Sequence, residues 1–248
     1  MVVAGLLYIF IAKDSPKKIG LKEYVDKDAK RNEQDAELKK LVAEHGKLFP
    51  YLYLLKKWRF DCWLLIIAGA SIARYGLLTW VPTYYVKEFG VDIKDGALGT
   101  VLLPLGMAVG TIVIPWISDK FFAENRLPMV IICAAVSGVT VFTFMKVEPG
   151  FAAGALLFIA GFFIYAINGL VWAYATDVGG RAFAGTAAGV LDCFAYLGAS
   201  VQAIYFGSVL TNSGNWTLVF TAIAGVCALI IIISIIAGWG LNKKKELA

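Results

Sequence analysis

The stretch DCWLLIIAGASIARYGLLTWVPTYYV, residues 61–86, decides the fold class of this 248-residue chain. From Trp63 to Val86 it holds 24 residues with a single charge, Arg74, near their centre. At about 1.5 Å per residue, a helix of that length crosses a hydrocarbon core of ~30 Å. A guanidinium does not lose its proton. Holding it near the bilayer midplane costs at least ~2.5–3.5 kcal/mol on insertion scales, so such an arginine faces a wet cavity or a buried anion.

The rest of the chain reads in the same way. It is 59% hydrophobic and 17% charged, a balance that belongs in a bilayer. Five further apolar runs predict spans at 97–117, 127–145, 151–172, 183–210 and 216–239. The run at 97–117 is interrupted by Pro104, Gly106, Gly110 and Pro115. Met1–Ala12 is apolar but too short to cross, and it reads as the end of a truncated helix. The expected organisation is therefore all-α: a truncated helix end at 1–12, a cytoplasmic central loop at 13–60, a six-helix transmembrane half-bundle at 61–242 and a cytoplasmic tail at 243–248.

Charge distribution excludes a nucleic-acid partner. Thirteen of the 23 Lys and Arg fall between Lys13 and Arg59, mixed with eight Asp and Glu, as in a solvated loop beside a membrane. Within that loop, 29–45 has helical tendency with a weak apolar stripe at Leu38, Leu41 and Val42, read equally as a surface helix or as a linker. If the loop is cytoplasmic, that side carries 19 positive residues against three, so the C-terminus is predicted cytoplasmic. The four cysteines lie singly in apolar segments and are expected to be buried, reduced and structural. His45 lies in the charged loop and is expected to be solvated. Neither a metal site nor a cofactor is predicted. No nucleophile–base constellation or phosphate-cradling glycine loop points to an enzyme.

Apart from Arg74, one ionisable residue lies well inside a predicted span, Asp192. The pair reads either as an ion pair tying two helices together or as two groups lining a cavity used for substrate or proton exchange. Tyr165, Asn168 and Trp172 share one helix face by spacing, as do Asp192 and Tyr196. Tyr165 and Tyr196 are expected to line the cavity, whereas Tyr84, Tyr85, Trp216 and Trp239 are read as interfacial anchors. Gly106/Gly110 and Gly185/Gly189 are GxxxG pairs suited to close helix approach. In WISDKFFAENR (116–126), Asp119, Lys120 and Arg126 can pair across helix ends and form a conformational gating loop.

That SDK…NR loop resembles the cytoplasmic signature of the major facilitator superfamily, with Pro115 where the signature has glycine. ARYGLLTWVPTYYVKEFG (73–90), FFIYAINGLVW (162–172), AFAGTAAGVLDCFAYLGASV (182–201) and DSPKKIGL (14–21) resemble the organophosphate:inorganic phosphate antiporters, in their C-terminal half. The resemblance implies a multi-pass protein of the bacterial inner membrane that exchanges a phosphorylated small metabolite for inorganic phosphate by alternating access. It further implies one phosphate-binding arginine from each half, here Arg74 with its counterpart in a missing N-terminal half-bundle, and Tyr165 and Tyr196 as site tyrosines. Asp192 stands where the glycerol-3-phosphate type has a small residue. Alternative readings are a proton-coupled symporter of another organic anion and a transporter-like sugar-phosphate sensor.

Overall fold

The computed structural model describes residues 20, 29–90, 93–122 and 125–245. The apolar 1–12 segment, most of DSPKKIGL and the last three residues of the tail lie outside the described residues. Among the described residues all regular structure is helical. Two shorter helices, α1 (Ala29–His45) and α2 (Phe49–Leu55), precede α3 (Trp58–Phe89), α4 (Ile93–Phe121) and α5 (Leu127–Phe144). The long helical run Phe151–Ser213 breaks at Gly180 into α6 (Phe151–Gly180) and α7 (Ala182–Ser213), and α8 (Trp216–Lys245) ends the described chain. Six of these, α3 to α8, are long and apolar enough to cross a membrane.

Pro104 and Pro115 do not divide α4, which runs through both. In lipid the carbonyls that proline leaves unbonded are served by neighbouring helices and local adjustment, so the helix continues. Gly180 does interrupt. Its φ of 56° and ψ of −159° lie in the left-handed half of backbone space, where a side chain is strained. A Cβ on Gly179 would lie 2.6 Å from the Ala184 nitrogen. The two glycines thus let α6 turn into α7 with a single non-helical residue.

Helices in lipid gain little from hydrophobicity when they meet, so close backbone contact carries the packing. Cβ atoms on Gly106 and Gly110 of α4 would overlap the carbonyl oxygens of Phe158 and Phe162 on α6. Gly161 of α6 in turn lies against the Leu103 carbonyl, and Gly169 against Pro115 and Thr111. Gly198 of α7 meets the Ala68 carbonyl of α3, and Gly138 of α5 meets the Cys227 side chain of α8. Around these crossings Phe60, Ile66, Ile67, Leu77, Leu103, Ile164 and Ile167 are buried.

Three expectations change. Gly185 and Gly189 have nothing within 4 Å of a Cβ position. They lie on α7, where only 22% of the most apolar window is buried, against 50% for α3, α5 and α6. Tyr84, Tyr85 and Trp216 are not free anchors: Tyr85 and Trp216 are buried, and Tyr84 packs against Phe144, Trp216 and Phe220 at centroid distances of 5.2–6.1 Å. Only Trp239 of that set is largely exposed. The cysteines are free thiols, but Cys193 is exposed and Cys62 half-buried, so burial holds for Cys133 and Cys227 alone.

Because the α4–α6 crossing has no room for a side chain, Gly110→Val should destabilise the bundle by at least about 1–3 kcal/mol. Gly225→Ala, at an open position on α8, should be neutral or slightly stabilising. Thermal unfolding in detergent checks both, and equal midpoints for the two variants would contradict the packing.

Candidate functional site

The α4–α6 crossing places the candidate site. Tyr165 lies one turn from Gly161 and one turn from Gly169, the two α6 glycines seated on α4. Its ring is thereby held toward α4, where Met107 and Ala108 lie between Gly106 and Gly110. Across from them α3 presents Arg74 and Tyr75. Together Arg74, Tyr75, Leu78, Pro104, Met107, Ala108 and Tyr165 line a cavity of about 310 Å³. Leu78 and Pro104 also belong to an adjoining apolar cavity of about 210 Å³, which includes Val81, Pro82 and Thr100.

Arg74 is the one charged side chain in this lining. Its Cζ lies 4.2 Å from the centroid of Tyr75 and 4.9 Å from that of Tyr165, both within cation–π range. Its Nε is buried and has no hydrogen-bond partner. Ser71 Oγ, one turn earlier on α3, is likewise buried without a partner. Two aromatic faces therefore attract the positive charge while its buried Nε–H remains free to donate. A planar fork of this kind matches a carboxylate or phosphate, and walls of low polarity strengthen the contact.

The predicted site residues separate. Tyr165 is brought to Arg74. Asn168 is buried on α6 but outside the cavity lining, and so is half-buried Trp172. Tyr196 is 58% exposed on α7, and Asp192, half-buried a turn before it, also lies outside the lining. Among the described residues Arg74 and Asp192 form no ion pair within 4 Å; the guanidinium lies against the two tyrosine faces. Sequence reasoning missed Tyr75: an adjacent residue is not a same-face neighbour on a helix, so spacing gave no signal. It also missed Gln202, which is buried and accepts a 3.1 Å hydrogen bond from Trp80 Nε1 between α7 and α3.

A second cluster closes one end of the bundle. Arg126, at the N-terminus of α5, donates to Asp119 in the last turn of α4 and, at 2.9 Å, to Asp177 near the end of α6. Its side chain is 10% exposed, the carboxylates 59% and 51%. Burial opposes the Arg126 charge, but the hydrogen bonds and charges of the two aspartates outweigh it and raise its pKa. With carboxylates this exposed, the clamp is worth on the order of 1 kcal/mol, enough to bias a conformation and little enough to break. Lys120 takes no part in it, and its Nζ lies 5.7 Å and 5.5 Å from the rings of Trp116 and Phe121. Asp177 was not predicted; its signal was an acidic residue just before the Gly179–Gly180 break. One turn before it, Tyr174 stacks on Trp63 of α3 at 4.3 Å and 11°.

Among the described residues no group of His, Cys, Asp or Glu is gathered that could hold a metal ion. His45 is exposed, with Nδ1 3.1 Å from the Leu41 carbonyl.

Comparison with known proteins finds relatives of the chain. The chain is 31% identical to the membrane sensor protein UhpC of Salmonella typhimurium, over 94% of the chain and 55% of that protein. It is 27% identical to the glycerol-3-phosphate transporter of Bacillus subtilis, over 99% of the chain and 55% of that protein. A probable hexose phosphate transport protein of Chlamydia trachomatis is 26% identical, over 98% of the chain and 56% of its own length. The chain thus spans about half the length of these curated relatives, which match the resemblance to the organophosphate:inorganic phosphate antiporters. The Major Facilitator Superfamily profile matches residues 1–203. With that match and six membrane-capable helices, the chain is an integral multi-pass membrane protein that belongs to the major facilitator superfamily, a family of transporters rather than enzymes.

Proposed function

We propose that the chain forms the C-terminal half of a secondary transporter that exchanges a phosphorylated small metabolite, a sugar phosphate or glycerol 3-phosphate, for inorganic phosphate. The supporting observation is the Arg74 Nε–H, buried and without an acceptor, in a cavity walled by tyrosine and apolar side chains. A phosphate oxygen supplies the acceptor that the chain does not. A second arginine from an N-terminal half-bundle completes the site, and two guanidiniums that repel in the empty site are drawn together by the anion. Alternating access follows, because the halves rock only when the anion screens that repulsion. The end bearing Arg126 faces the cytoplasm, with the C-terminus on the same side of a bacterial inner membrane.

In this reading Tyr75 and Tyr165 orient the Arg74 fork; in the alternative reading, a proton-coupled symporter of another organic anion, Asp192 carries the proton. Neutralisation by Asp192→Asn should shift the pH dependence of transport, so an unchanged pH profile, affinity and selectivity would remove that role. Arg126 acts at a distance through the clamp. Arg126→Gln should slow exchange severalfold while leaving phosphate affinity unchanged, whereas an affinity loss matching that of Arg74 variants would place Arg126 in the binding site instead.

The decisive experiment is phosphate self-exchange in proteoliposomes with the full-length protein and its Arg74→Lys variant. Lysine keeps the charge and loses the fork, so exchange should fall about tenfold or more. Unchanged kinetics would sink the bidentate role of Arg74. Similarity to a membrane sensor favours a second reading, in which the same site binds sugar phosphate and the cytoplasmic loop signals to a partner protein. Binding without exchange in the same proteoliposomes distinguishes it.

A further inference from the structure

Helix α2 and its flanks carry a surface that neither the cavity nor the clamp uses. One face of α2 is fixed to the bundle: Pro50 and Leu54 are buried, and the rings of Phe49 and Tyr53 meet Phe183 edge-on at 6.4 Å and 5.6 Å. Phe183 lies in the first turn of α7, 3% exposed. The opposite face is apolar and open. Leu48, Tyr51, Leu52 and Leu55 follow the i, i+3, i+4, i+7 pattern of one helix stripe and are 71%, 45%, 67% and 43% exposed. Trp58, at the start of α3, continues it at 49%.

The charges around this stripe have one sign. Between Gly46 and Phe60 there are four cations, Lys47, Lys56, Lys57 and Arg59, and no acidic residue. Lys47 and Lys56 are exposed. Lys57 Nζ lies 4.3 Å from the Tyr53 centroid, and Arg59 Cζ 5.7 Å from that of Trp58. The segment joins directly to α3, which crosses the membrane, so it lies at the bilayer boundary. An amphipathic helix at that level, leucines on one side and cations at both ends, suits the join between acyl chains and anionic headgroups.

We infer that residues 47–59 form a docking surface for anionic phospholipid, with the Leu48–Leu52–Leu55 stripe and Trp58 set in the acyl boundary and the lysines at phosphate level. The test uses the full chain reconstituted in mixed phosphatidylcholine and phosphatidylglycerol, with bromine placed on the acyl chains of one lipid or the other. The difference between the wild type and Trp58→Phe isolates the emission of Trp58. Its quenching should be stronger when phosphatidylglycerol carries the bromine. Each charge removed in Lys47→Gln and Lys56→Gln should lower that preference roughly two- to fivefold, and high salt should lower it in the unmodified chain. The salt series needs no variant, so a folding defect in a substituted chain does not decide the outcome. Equal quenching by both lipids overturns the anionic selectivity. Absence of Trp58 quenching by either overturns the docking surface and leaves this face to a protein partner.

Discussion

A guanidinium that keeps its proton, set in a wall of low polarity, fixes what the rest of this bundle must provide. Two tyrosine faces at 4.2 Å and 4.9 Å offset the Arg74 charge by about 0.5–2 kcal/mol each. They do nothing for its N–H groups, because a ring face is a poor substitute for an oxygen acceptor. A buried donor left without a partner costs about 1–3 kcal/mol. The site is thus electrostatically half-solved: the charge is met and a donor is not. That imbalance is what an oxyanion corrects, and a neutral ligand would correct it less.

Holding such a site in register is the task of the glycine crossings. Gly161 and Gly169 lie either side of Tyr165 along one face of α6, and Gly106 and Gly110 lie either side of Met107 and Ala108 on α4. Backbone lies on backbone there, so the ring and the opposite wall have little freedom to separate. In a soluble protein a larger apolar core could do this. In lipid, where apolar contact discriminates poorly between protein and solvent, close approach of main chains is the available means.

Much of this was legible in the sequence. Length and apolarity gave six spans because the bilayer sets one length scale for all of them, and a lone arginine inside one span pointed to the candidate site for the same reason. What periodicity could not supply was partner identity. It grouped Asn168 and Trp172 with Tyr165 as one face, yet of the three only Tyr165 lines the cavity. Tyr75 escaped because adjacency in sequence is not adjacency on a helix surface, although its ring still reaches the guanidinium. The small-residue pattern predicted contact at Gly106/Gly110 and Gly185/Gly189 alike, and only the first pair meets another described helix. Pattern shows what a helix permits, and the neighbour decides what it does.

The single-residue joint at Gly180 has a mechanical consequence. Asp177 and Tyr165 are twelve residues apart on one helix, an arm of about 18 Å. With no slack loop after α6, a displacement at its Asp177 end would be passed along the helix rather than taken up by a loop. A tilt of about 10° about that end would carry the Tyr165 ring about 3 Å along an arc of this radius. That is comparable with its present 4.9 Å separation from the guanidinium. The Arg126–Asp177 ion pair at one end of α6 and the Tyr165 ring against Arg74 are thus carried on one continuous helix.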